Sequence, residues 1–172
     1  MSNHTQTLTS TQPAPEATAV RSVFAHIPTP LVVVAADING TPTGITVGSF
    51  VGQSLEPALV SVSIQDTSTT WPQLRCADHI GISVLSEDHA HLVRQFSGPA
   101  AERFQGVNLE EDGSALLLAE AGVQLTCRLV DEIRIGDHIQ AVLEVVRVVE
   151  RPGAGPLVYQ GRRISHTRAI DL

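Results

Sequence analysis

Six or more short apolar runs, broken by Gly, Pro and Asn signals, constrain this chain more than any other feature of its sequence. Runs of that length and period form strands, and each strand needs neighbours for its backbone groups. Leu31 to Asp37 is a β-rich apolar run, Asn39-Gly40 is a hairpin turn signal, and Thr43 to Val51 resumes with Thr, Ile, Val and Phe. After the break at Glu56-Pro57, Ala58 to Gln65 alternates Leu59, Val60, Val62 and Ile64 with serines, and His79 to Leu85 reads as a fourth strand. From Ala121 onward Val123, Leu125, Cys127 and Leu129 alternate with polar residues. Gly136-Asp137 then turns the chain into His138 to Val149, and Leu157 to Gln160 is a last short strand.

Between these runs the period changes to helical. Val20, Val23, Phe24 and Ile27 share one helix face that must stop before Pro28. Asp66 to Asp78 predicts a short helix around Trp71 and Leu74. Ser86 caps a second one that carries Leu92, Val93 and Phe96 and ends at Gly98-Pro99. Residues 1–19 are poor in large apolar side chains and are expected to form a disordered tail, leaving residues 20–172 as one domain. The expected fold is mainly β, a closed or nearly closed barrel decorated by short helices. Val145, Val146, Val148 and Val149 make one strand apolar on both faces, so either a helix of the same chain or a second subunit covers its outer face.

Charge then removes whole classes of function. The formal net charge is −7, and all 11 basic residues are Arg, with no Lys anywhere in the chain. A phosphate loop of the Walker type and a Schiff-base enzyme both need a Lys amine. An acidic chain with few aromatics is not expected to bind nucleic acid. No apolar run approaches the roughly 18 residues of a membrane span. Two cysteines make no disulfide framework, and with no leader pattern at the start a cytoplasmic setting is expected.

The familiar catalytic signatures are missing. Ser49 lacks the Gly two residues earlier that a nucleophile elbow requires. His89 and His91 point to different sides of a helix, with His89 expected on its surface, and Cys76 and His79 have no second pair to complete a zinc site, so no metal is expected. The glycines of Gly153 to Pro156 do not form a dinucleotide fingerprint. What remains is a Gly- and hydroxyl-rich strand, Gly44 to Phe50, and a Ser/Thr cluster from Ser61 to Thr70. Such residues suit the edge of a flat heteroaromatic ring and a phosphate, and equally a solvated edge strand.

The order of the pieces carries more than any one of them. Phe24 to Pro28, Val32-Val33-Val34, Gly44-x-Thr46-x-x-Ser49-Phe50, Ser54-Leu55-x-Pro57, Ile82 to Glu87, Phe96 to Phe104, Gly136-Asp137-His138 and Pro156 to Tyr159 follow one another. In that order the chain, from about residue 20 to 164, resembles the flavin reductase-like, FMN-binding split-barrel family. Its members are similar to the reductase components of two-component flavin-dependent monooxygenases. The resemblance implies a homodimeric split barrel that passes hydride from NADH or NADPH to FMN or FAD and supplies reduced flavin to a separate monooxygenase. A non-catalytic FMN-binding protein and a flavoenzyme acting directly on an organic substrate share the same fold and remain alternatives.

The resemblance also implies site residues. Thr46, Val47, Gly48 and Ser49 would edge the flavin ring, with a bulge at Gly48 or a backbone N–H reconciling Thr46 with Ser49. Ser63, Ser68, Thr69 and Arg103 would meet its phosphate, with Phe96, Ser97 and Phe104 alongside; for Arg103 a surface ion pair is the other reading. His138, backed by Asp137, would position the nicotinamide and flavin, or else be a hydrogen-bonded rim histidine. Three positions depart from the family pattern: Pro30 stands where Gly is common, Arg163 where an aromatic is common, and His89 where Gln is usual.

Overall fold

The computed structural model describes residues 14–152 and 155–167. Residues 1–13 of the expected tail lie outside that range, and the first helix, α1 (Ala17–Phe24), begins within the stretch assigned to the tail. Two strands follow, β1 (Thr29–Pro30) and β2 (Val32–Ile38), and β2 turns tightly into β3 (Thr41–Val47). Asn39 and Gly40 both adopt positive φ, 55° and 81°, as that turn demands. The strand then stops. Instead of continuing to Val51 as expected, the chain bends at 48–50 and starts a new strand, β4 (Val51–Leu55), which pairs with β5 (Ala58–Gln65).

The expected helix over 66–78 shrinks to one turn, α2 (Trp71–Leu74), opened by Ser68 Oγ accepting from the Trp71 N–H at 3.2 Å. After β6 (Ile80–Val84), a 3-10 turn at Glu87–His89 leads into α3 (Ala90–Phe96). His89 is not on the helix surface as expected: it is buried, with Nδ1 2.8 Å from Ser86 Oγ, and completes the cap of its own helix. A hairpin that periodicity missed, β7 (Leu109–Asp112) and β8 (Ala115–Leu118), precedes two long strands, β9 (Val123–Ile135) and β10 (His138–Glu150). The chain continues through β11 (Leu157–Gln160) into β12 (Arg163–His166), a strand also absent from the sequence reading.

Nine strands form one sheet in the order β4-β5-β10-β9-β6-β2-β8-β7, with β3 paired to β2. The sheet curls like a barrel around Val32, Val34, Val62, Ile64, Ile82, Leu125 and Leu143, and Trp71 and Leu74 of α2 belong to the same core. Trp71 Nε1 donates to Glu132 at 2.7 Å, and Glu132 also pairs with Arg75. A second core lies on the other face of β2, where Leu31, Val33 and Ala35 meet Leu92 and Phe96 of α3. β2 is thus buried on both faces, which explains its unbroken apolar run.

The curl does not close by a backbone ladder. Between β3 and β5 the gap is bridged by one side chain: Ser49 Oγ donates to Ser63 O at 2.7 Å and accepts from Ser63 N–H at 2.9 Å. A hydroxyl therefore takes the place of a strand residue at the split. β9 and β10 extend past their neighbours, and two bulges leave Val130 and Val146 out of register. No described helix covers this face, and Val148 is 67% exposed, so the same-chain helix considered from sequence is not the answer.

Candidate active site

The site lies at the split in the barrel. A cleft of about 910 Å³ opens there, with the end of β3 on one lip and the end of β5 and its following loop on the other. From the first lip come Thr46, Val47, Gly48 and Ser49; from the second come Ser63, Ser68 and Thr69. Ser97 and Arg103 close one end, and His138, at the start of β10, stands opposite Gln65 of β5. Ten of the thirteen residues expected from sequence meet here.

The other three do not line it. Phe96 is buried in the second core and packs edge-on against Phe104, with ring centroids 4.9 Å apart. Phe104 faces a neighbouring smaller compartment, and Asp137 sits at the exposed turn behind His138. Both phenylalanines therefore shape the walls from behind.

No bulge reconciles Thr46 with Ser49. The β2–β3 register runs without a shift from Ile38 to Val32, and β3 ends before Ser49 is reached. A Cβ at Gly48 would lie 2.9 Å from Thr29 Oγ1, so a larger residue there would have to turn that side chain aside. Ser49 spends its hydroxyl on Ser63, so what its turn offers a ligand is backbone outside any ladder. Thr46 differs: its Oγ1 is buried without a hydrogen-bond partner in a residue that lines the cleft. Buried hydroxyls are rarely left unsatisfied, and a hydrogen-bonding ring edge laid against β3 would supply the missing partner.

Arg103 makes no ion pair with a carboxylate among the described residues. Nε donates to Gly98 O at 3.3 Å, and Nη1 to Gly44 O at 2.9 Å and Thr70 Oγ1 at 3.2 Å. These neutral acceptors fix its position without neutralising its charge, which suits it to an anion. His138 Nδ1 lies 2.8 Å from Asp137 Oδ1. That hydrogen bond holds the Asp137 carboxyl below the usual carboxylate range. With Nδ1–H donating to the carboxylate, Nε2 is the ring nitrogen left for a ligand.

Sequence reasoning did not assign Arg21, Phe24, Ile27 and Tyr159 to the site, all of which border the cleft, while Thr70, the last residue of the expected Ser/Thr cluster, lines it too. A signal existed for two of them: Arg21 and Phe24 are three apart on a helix and share a side. Tyr159 is brought in by tertiary contacts alone.

Comparison with known proteins agrees with this fold. Residues 24–168 match the family model described as a flavin reductase-like domain. The chain is 34% identical over 146 residues to the reductase component of 4-nitrophenol 4-monooxygenase/4-nitrocatechol 2-monooxygenase from Rhodococcus opacus, covering 85% of this chain and 78% of that protein. It is 33% identical over 159 residues to the NADH:riboflavin 5'-phosphate oxidoreductase of Streptomyces pristinaespiralis, covering 91% and 90%. Among solved structures, the NADH:FAD oxidoreductase of Streptomyces globisporus C-1027, in complex with NAD and FAD fragments, superposes with a TM-score of 0.81 at 26% identity, over 88% of this chain and 92% of that one.

Proposed function

The chain belongs to the flavin reductase-like domain family, and we propose on that premise how the split in its barrel serves as the site. The protein is an NAD(P)H-dependent flavin reductase that supplies reduced flavin to a separate monooxygenase. When bound, reduced nicotinamide supplies a hydride from C4 and flavin accepts it at N5. Hydride transfer needs no general base, so the protein's task is to hold two flat rings in register and exclude water.

The lips of the split divide that task. Thr46 donates its free hydroxyl to the flavin ring edge, and the 48–50 turn offers it backbone N–H groups. Ser68, Thr69 and Arg103 hold the phosphate, which in a chain without Lys must fall to hydroxyls, Arg and backbone. Ser49 and Ser63 keep the lips at a fixed separation. His138 orients the nicotinamide through Nε2, with Asp137 fixing its ring. The observation that carries this reading is the meeting, in one cleft, of an unpartnered hydroxyl on one lip and an uncompensated guanidinium at the end.

Further parts of the reading concern assembly and setting. Two copies pair as a homodimer, supported by the exposed Val130, Val146 and Val148 on β9 and β10 and by Phe24, 64% exposed at the cleft mouth. One catalytic domain begins at α1, whose first residue is Ala17 and not residue 20 as expected. The setting is cytoplasmic, supported by two free thiols and by dependence on a diffusing nicotinamide. Among the described residues no helix is long and apolar enough to cross a membrane.

Steady-state oxidation of NADH and NADPH, each with riboflavin, FMN and FAD, is the test. Flavin-dependent turnover is expected with at least one pairing, and none in all six would overturn the reading.

A further inference from the structure

Two charged side chains outside the cleft hold the loop that forms part of its second lip. The loop, residues 66–70, joins β5 to α2, and Thr67, Ser68, Thr69 and Thr70 line the cleft. Glu132 and Arg134 do not line it; both project from β9. From Asp131 to Ile135 β9 pairs with β10 without a shift, so these two residues lie on one face of the strand, about 7 Å apart. From that face they reach opposite ends of the loop. Arg134 Nη2 donates to Asp66 Oδ2 at 2.7 Å at its start. Glu132 accepts from Trp71 Nε1 at 2.7 Å and pairs with Arg75, just past its end.

The loop has little to hold it otherwise. Its own hydrogen bonds are local: Ser68 N–H donates to Gln65 O at 3.0 Å, Ser68 Oγ accepts from Trp71 N–H, and Thr69 O accepts from Gln73 Nε2. On the cleft side Arg103 reaches Thr70 Oγ1 at 3.2 Å. α2 is a single turn, which is not stable by its own hydrogen bonding. Hydroxyls on a loose loop would have to be ordered by the phosphate as it binds, at a cost in affinity, and ties made beforehand remove that cost. The two ties differ in strength. Trp71 is 2% exposed, so loss of Glu132 would leave a buried N–H without its partner, whereas the Arg134 side chain is 71% exposed and its ion pair is screened by water. Asp66 N–H also donates to Asp137 O at 3.0 Å, which joins the start of the loop to the turn that carries His138.

We propose that Glu132 and Arg134 are positioning residues for flavin binding: from outside the cleft they preset the 66–70 loop, and with it the hydroxyls that meet the flavin phosphate. The proposal rests on the flavin reductase reading and adds to it two residues that touch no ligand.

Riboflavin lacks the phosphate, so it separates loop placement from general damage. In calorimetric titration of the full chain without nicotinamide, Glu132→Ala should bind FMN about tenfold more weakly and riboflavin within about twofold of the wild type. Glu132→Gln keeps an acceptor for Trp71 and should recover FMN affinity to within about threefold. Arg134→Gln, at an exposed side chain, should weaken FMN about threefold and leave riboflavin unchanged. In turnover the FMN defect of Glu132→Ala should appear in KM, with kcat kept within about twofold, because the β3 lip still holds the ring. Equal losses for FMN and riboflavin in Glu132→Ala, or unchanged FMN affinity in both Glu132→Ala and Arg134→Gln, would overturn the proposal, as would a Glu132→Gln variant no better than Glu132→Ala. If Glu132→Ala does not fold, Arg134→Gln decides: an FMN loss absent from riboflavin supports the proposal, and no loss or a shared loss overturns it. A wild-type chain that reduces flavin but binds riboflavin as tightly as FMN would also overturn it, because no phosphate grip would exist to preset. Failure of the reductase reading looks different, as an absence of NADH and NADPH oxidation with every flavin.

Discussion

At Gly81 of β6 the neighbouring β8 passes so close that an added Cβ would lie 2.1 Å from the carbonyl oxygen of Leu116. Backbone cannot swing aside as a side-chain tip can, so Gly81→Ala should cost about 3 kcal/mol or more. Gly52, with nothing within 4 Å of its added Cβ, is the matched control, and Gly52→Ala should stay within about 0.5 kcal/mol of the wild type. Urea unfolding midpoints compare the two. Burial acts on chemistry as well as on space: the Cys127 thiol, enclosed in the barrel core, is pushed up to about 12. Its folded value lies above the unfolded one, so its stability contribution is complete below pH 9.0, the ordinary thiol value, and falls away as pH rises toward 12. A thiol reagent at pH 8 should therefore titrate one cysteine, the exposed Cys76, in the folded protein and two after denaturation. Rapid loss of both thiols from the native protein would contradict that enclosure.

The end of β3 shows how an element can be legible in sequence and still be bounded wrongly. Its residues have β character through Phe50, and local propensity has no reason to stop the strand at Val47. What stops it is the curl of the sheet, which brings β5 near enough for the Ser49 hydroxyl to replace a ladder partner. Ser49→Ala removes that partner from both polar groups of Ser63. It should destabilise the protein by about 1–3 kcal/mol and speed amide exchange at Ser63, and it should weaken flavin binding if the split holds the ring. Unchanged exchange at Ser63 would mean that water bridges the gap as well as the hydroxyl does. α2 teaches the converse lesson. Sequence expected a helix over 66–78, but only one turn forms, because Trp71 and Leu74 are drawn into the barrel core and Trp71 is tied to Glu132 across it.

On the scale of the whole molecule, the apolar residues left outside are as informative as the core. Val130 and Val146 occupy the bulges between β9 and β10, and Val148 stands beside them, all without cover from the described chain. The homodimer proposed above, if joined through this face, would account for the valines on both sides of β10. Val148→Arg should then shift the protein from dimer to monomer in sedimentation velocity and weaken flavin binding at the cleft mouth. A wild-type protein that sediments as a monomer would remove the basis for that pairing.

The strand runs, the β2–β3 turn, the long β9–β10 hairpin and ten of the cleft residues were legible in sequence, because period and turn chemistry are local and the motif order carried the family resemblance. β7, β8 and β12 were not, since each gains its strand character from its pairing partner. The lack of Lys determined in advance that any phosphate must be met by Arg, hydroxyls or backbone. Which Arg stands ready is decided by the fold, which ties Arg103 to three neutral acceptors and, among the described residues, brings no carboxylate to it, while placing Arg21 at the same cleft. Only the tertiary structure could decide this, because the net charge at a point in space depends on which distant residues approach it, and sequence order does not record that approach.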